Sequence, residues 1–255
     1  MSILETIDLT KQFGGLVAVN RVTMAVKENE VLGIIGPNGA GKTSFINAIT
    51  GIYKPSSGQV FFKGKDISGL PAYKITKQGI ARTFQNLRIF SNISVLENVL
   101  VGAHCRIDNK FHHIFLHPLK SRKVERLAYE KVIALLKNVG LEQKKDTLAK
   151  NLSYGEQRIL EICRALASDP ELLILDEPCA GMNSAEMDTL ATFVKKLRDE
   201  GNTIAVIEHN MRFMMAVSDR IIVMTEGAKF REGVPEVIRN DKAVQKVYLG
   251  EQEAG

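Results

Sequence analysis

The sequence is poor in the features that would place it outside the cell or within a membrane. Its 255 residues hold three cysteines, Cys105, Cys163 and Cys179, an odd number with no CxxC spacing. Neither a disulfide framework nor a zinc site is signalled, and reduced thiols are expected. No apolar run approaches the roughly 20 residues that a membrane helix requires. The segment from Met1 to Leu9 lacks a basic start followed by a long apolar stretch, so the chain is expected to stay in the cytosol. Internal repeats and low-complexity runs are also missing, which sets aside a repeat architecture.

What is present is ordinary globular usage, 45% hydrophobic and 25% charged, with length enough for one large α/β domain or two modest ones. The formal net charge of +5 comes from scattered Lys and Arg. Such charge suits an anionic surface, but it does not cluster with aromatics in a stacking pattern, so a solvated surface and no nucleic-acid partner are expected.

Hydrophobic patterning predicts strands over 3–9, 22–27 and 31–35, the last running into a glycine-rich loop before a helix over 43–50. An apolar strand over 172–175, an amphipathic helix over 185–199 and a further apolar strand over 203–207 give the β-α-β rhythm of a parallel sheet. Between these halves, residues 119–139 place Val124, Leu127, Ala128, Ile133, Leu135 and Leu136 among many charges, as a surface-packed helix does. The less periodic stretch 104–118 carries His112, His113 and His117, a spacing open to a transition metal but without a nearby acidic or thiol ligand to complete a shell.

Gly36-Pro37-Asn38-Gly39-Ala40-Gly41-Lys42-Thr43 matches the P-loop pattern in full, after a strand and opening a helix. Its glycines let successive backbone N–H groups turn around phosphate oxygens, the helix N-terminus adds a favourable dipole, and Lys42 adds a point charge on the β and γ phosphates. Thr43 is expected to give its hydroxyl to Mg²⁺. The apolar strand that ends in Asp176-Glu177 supplies the second half: Asp176 to hold Mg²⁺ directly or through water, Glu177 to polarise the attacking water.

Between these two motifs, Leu152-Ser153-Tyr154-Gly155-Glu156-Gln157 resembles the LSGGQ signature of the ABC ATPases. The resemblance covers nearly the whole chain. It implies an α/β P-loop ABC ATPase fold with a mixed or parallel sheet core, an antiparallel β subdomain and an inserted helical subdomain. The division it implies is one ABC ATPase domain over 1–255, with a RecA-like core and β subdomain over 1–85 and 165–240, a helical subdomain over about 86–164 and a tail over 241–255. It also implies ATP and Mg²⁺ as cofactors and head-to-tail pairing around two ATP molecules, with Ser153 and Gly155 offering an anion site to a phosphate from another chain.

Residue by residue, Phe13 resembles the aromatic that stacks on adenine, Gln85 the Q-loop glutamine that reaches metal or water, and His209 the switch histidine that donates to a γ-phosphate. The chain departs from the common pattern at Tyr154 (usually Gly), Glu156 (usually Gln) and Asn183 (usually Asp). Cys179 beside Glu177 reads as a buried filler before a redox handle.

Finer matches, 13–20, Tyr154, 177–183, 207–211, the insertion over about 104–126 and the closing 244–251, point to the ATP-binding subunits of branched-chain amino acid importers. The closing segment is expected to run from a strand into a helix end against the body. The implied partners are transmembrane permease subunits, a second copy or a paralogous ATPase subunit, and, indirectly, a periplasmic or lipid-anchored substrate-binding protein, all at the cytoplasmic face of the membrane. Related subunits serve urea, other amino acids or lipopolysaccharide export, and a soluble ABC ATPase acting on nucleic acid is the alternative outside transport.

Overall fold

The structure, a computed structural model, describes residues 1–104 and 118–252. Among the described residues ten strands form two sheets. The first has the order β2-β1-β4-β5, all antiparallel, from β1 (Ser2–Phe13), β2 (Leu16–Lys27), β4 (Ser57–Phe62) and β5 (Lys65–Asp66). The second has the order β10-β9-β3-β8-β7-β6, from β3 (Val31–Ile35), β6 (Ile80–Arg82), β7 (Leu172–Asp176), β8 (Ile204–Ile207), β9 (Arg220–Thr225) and β10 (Ala228–Gly233). It is parallel except for β10.

The short apolar strands β3, β7 and β8 are buried along their whole length because both faces of this sheet are covered, so they read as continuous hydrophobic runs. Alternation decides which core each residue joins. Leu32, Ile34, Ile174 and Ile207 face α1 (Lys42–Ile49) and the antiparallel sheet, with Phe45 fully buried among them. Ile35, Leu173, Leu175 and Val206 face the other way, toward α3 (Val95–His104), α4 (Pro118–Asn138), α5 (Tyr154–Ala167) and α6 (Ser184–Asp199). The remaining helices are α2 (Ala72–Gln78), α7 (Met211–Val217), α8 (Pro235–Asn240) and α9 (Lys242–Gln252).

Most elements start or stop within a residue or two of their expected bounds. The exceptions are β1 and β2, which run on to meet at a Gly14-Gly15 turn, pairing Lys11 with Val19 and Phe13 with Leu16. Both faces of that extension are largely solvent-exposed, so it carries no alternating signal. The chain end is helical over 242–252 with no strand before it, and Val244 and Tyr248 pack on the body. His112, His113, His117 and Cys105 lie outside the described residues, as does most of the insertion that held them. Among the described residues no group of three His, Cys, Asp or Glu could hold a metal, and no helix is long and apolar enough to cross a membrane.

Phe45 joins α1 to the sheet, so Phe45→Ala is expected to lower unfolding stability by about 3–5 kcal/mol, read as a shift in the urea midpoint with an unchanged slope.

Candidate functional site

The loop from Gly36 to Gly41 leaves the end of β3 and turns sharply into α1. A Cβ on Gly41 (φ +89°) would stand 2.2 Å from the Ala18 carbonyl oxygen, so only glycine lets the loop pass there. No side chain caps the N-terminus of α1, and its first N–H groups are left to an outside acceptor. Lys42 Nζ donates to the carbonyls of Gly36 (2.6 Å) and Pro37 (2.8 Å), which holds the ammonium beside the loop it would serve. Above the loop lies a cavity of 500 Å³, walled by residues 38–44, by Leu16, Val17 and Ala18 at the start of β2, and by Glu177.

Asp176 and Glu177 reach the same edge because β7 lies two strands from β3, across β8. Asp176 is almost fully buried and its Oδ2 accepts from Arg82 Nη2 at 2.6 Å; Arg82 also donates to Asn47 Oδ1 on α1 and to Thr50 Oγ1 at its C-cap. This pair ties β6, β7 and α1 together, and loss of one partner would leave a buried charge costing about 3–5 kcal/mol. Arg82 leaves Oδ1 of Asp176 for another partner. That oxygen and the exposed Thr43 hydroxyl are hard donors of the kind Mg²⁺ selects, so the donor set fits this cation.

Glu177 sits in the left-handed region (φ +47°) with its N–H donated to the Ile207 carbonyl. A non-glycine residue there stores about 1–3 kcal/mol, sustained by its surroundings and frequent where chemistry is done. Its Oε2 accepts from Gln85 Nε2 at 2.9 Å, so two of the expected catalytic residues already touch.

Four other expected residues stand apart. Phe13, half exposed at the hairpin turn, packs edge-on to Tyr53 at 5.2 Å with Lys11 Nζ over its ring; Leu16 to Ala18, not Phe13, line the loop cavity. His209 is exposed on the loop after β8, 3.9 Å from Glu208. Ser153 caps α5 reciprocally with Glu156, and the Gly155 N–H donates to Glu186; neither lines the cavity. The departures Glu156 and Asn183 both serve helix starts: Glu156 closes the Ser153 capping box and pairs with Lys144, and Asn183 caps α6 with Glu186. Cys179 is buried, and burial drives its thiol pKa upward, which makes it inert.

Residues 19–180 match the family described as ABC transporter, and residues 232–254 match that of the branched-chain amino acid ATP-binding cassette transporter. The chain belongs to the ABC transporter ATPases. It is 44% identical over 250 residues, 98% of each chain, to the high-affinity branched-chain amino acid transport ATP-binding protein BraF of Pseudomonas aeruginosa. The solved ADP conformation of an ABC transporter's ATP-binding cassette superposes with a TM-score of 0.84 at 32% identity, covering 98% of this chain and 99% of that one. A dimeric bacterial ABC transporter cassette gives 0.76 at 25%, over 91% and 98%.

Sequence reasoning passed over Arg82, Arg158, Glu161 and Glu208. The available signals were a basic residue closing a short apolar strand and an Arg/Glu pair three apart on the apolar face of α5. In this ABC transporter ATPase, Glu208 is 1% exposed and its Oε2 has no hydrogen-bond partner. Burial first, and the Glu177 carboxylate second, push its carboxyl up to about 7, against the backbone amides of Asn210 and His209 and the Arg158 cation. The native chain therefore keeps a proton that the unfolded chain releases, so Glu208 costs nothing below its unfolded value near 4.5 and destabilises increasingly toward pH 7. Glu208→Gln is expected to be more stable than the parent at pH 8 and indistinguishable at pH 4.5, measured by urea unfolding at both.

Proposed function

We propose that this ABC ATPase hydrolyses ATP as one half of a nucleotide-sandwiching pair that powers the import of branched-chain or related amino acids. The observation that carries the reading is the convergence of the P-loop, Asp176, Glu177 and Gln85 at one sheet edge. The loop N–H groups and Lys42 bind and stabilise phosphoryl oxygens, in a pocket whose Leu16–Ala18 wall flanks the space for the base. Thr43 and Asp176 would hold Mg²⁺, which when bound neutralises charge between the β and γ phosphates. Glu177 takes the proton of the attacking water once Gln85 releases its Oε2, and His209 donates to the γ-phosphate.

Ser153 and Gly155 lie away from their own chain's cavity, which favours a second chain, identical or paralogous, whose phosphate they would meet. A separate groove of 630 Å³ is lined by Arg82, Arg88, Phe90, Val101, Glu161 and Arg164, mostly apolar with a basic excess. It suits a short amphipathic helix with an acidic residue, such as a permease presents at the cytoplasmic face of the membrane. In this reading the core over 1–85 and 165–240 carries nucleotide, and the helices over about 86–164 carry the permease contact. A substrate-binding protein would act through that permease. Amino-acid cargo rests on the relative's name and the carboxy-terminal match; urea or lipopolysaccharide are the alternatives.

Glu177→Gln is expected to bind ATP and lose at least about 100-fold in kcat, the scale of a removed general base. In cells lacking the chain, labelled leucine uptake should return with the parent and not with this variant. Unimpaired hydrolysis would overturn the role of Glu177, and unchanged uptake in every strain would remove the cargo.

A further inference from the structure

Tyr154 replaces the usual glycine of the signature motif, and it begins α5 with its ring against the turn that follows Glu177. A Cβ on Gly181 (φ +77°) would stand 2.8 Å from the Tyr154 ring. The turn therefore lies close against the Tyr154 ring, and Gly181 is what lets it approach.

One helical turn on, Arg158 is 3% exposed and spends its guanidinium on the loop that carries Gln85. Nη1 donates to the Phe84 carbonyl at 3.0 Å and Nη2 to the Gln85 carbonyl at 2.5 Å. Nη2 also donates to the Tyr154 hydroxyl at 2.9 Å, and Nη1 lies 3.4 Å from Glu161 Oε2. The other Glu161 oxygen accepts the Arg88 N–H at 3.2 Å, at the wall of the basic groove. Gln85 in turn holds Glu177.

The contacts form a closed circuit within one chain: Tyr154 to Arg158, Arg158 to the Gln85 backbone, Gln85 to Glu177, and the turn after Glu177 back to the Tyr154 ring. Arginine suits this place because its planar fork reaches two carbonyls at once, which an ammonium cannot do in the same geometry. We propose that Tyr154 and Arg158 are positioning residues that join the signature end of α5, the Gln85 loop and the Glu177 turn into one mechanical unit. Whatever engages the signature end of a chain then sets the Gln85–Glu177 contact of that same chain. This consequence rests on the reading that the signature meets a phosphate bound to a second chain. A link of this kind makes each nucleotide site report to the other.

The test uses the purified full-length chain, as parent, Tyr154→Phe and Arg158→Lys. Tyr154→Phe keeps the ring on the Gly181 turn and removes one acceptor; Arg158→Lys keeps the charge and removes the fork. Amide hydrogen exchange without nucleotide should accelerate about tenfold at residues 84–86 in Arg158→Lys and less in Tyr154→Phe, with β3 and β7 unchanged. Hydrolysis should show kcat reduced about tenfold in Arg158→Lys with KM within about twofold of the parent, the mark of lost positioning rather than lost binding.

Unchanged exchange at 84–86 in both variants would overturn the proposal, as would acceleration shared equally by β3 and β7 in both. Because the exchange is read without nucleotide, it stands even if the chain proves not to pair. A chain that stays monomeric with ATP bound would remove only the cross-site consequence.

Discussion

The parallel pairing of β3, β8 and β7 is the constraint on which the rest depends. Val31 to Ile34 lie opposite Ile204 to Ile207, and Asp176 lies opposite Ile207, so three strands end at the same edge. The phosphate loop leaves from β3, Asp176 and Glu177 from β7, and Glu208 and His209 from β8. A slip of one residue in any of the three would carry an acidic group into an apolar core and a Leu or Ile to the edge. Burial on both faces specifies the register, and the register specifies the chemistry.

Around that edge the charged groups divide by what they face. Asp176, Arg158, Glu161 and Glu208 are buried, as is the side chain of Arg82, and each is held by, or acts on, another element. Gln85, Thr43, His209 and Ser153 are exposed. The buried set fixes where the loops lie, and the exposed set is left for nucleotide and partner. Ser153 and Gly155 do not line the loop cavity; within the chain they serve the start of α5 and the contact to Glu186.

How far the site was legible follows from how local each signal is. The phosphate loop was readable because its chemistry is backbone chemistry, dictated by glycines at fixed spacing before a helix. Asp176-Glu177 was readable only beside the phosphate loop, since an apolar strand ending in two acids is by itself more often a solvated strand end; the structure instead buries Asp176 against Arg82. The capping roles of Glu156 and Asn183 were within reach, three residues from their partners, yet the family pattern made them look like departures rather than helix starts. Arg82 showed only as a basic residue closing a short apolar strand; its partners stand 35 and 94 residues away, and nothing in Ile80-Ala81-Arg82 announces them. The same holds for Arg158, which meets the Gln85 loop 73 residues upstream. Non-local ion pairs in the interior are set by topology, and topology lies beyond periodicity.

The claim at the centre is that the edge built by these strands holds one nucleotide through the loop amides and the Lys42 ammonium. Titration calorimetry of Mg-ATP into the parent and into Lys42→Ala tests it most directly. The expected result is one ATP per chain for the parent and an affinity at least about 100-fold weaker for the variant, about 2.8 kcal/mol at tenfold per 1.4 kcal/mol. Equal affinity in the two proteins, with both folded, would place the nucleotide elsewhere and contradict the site.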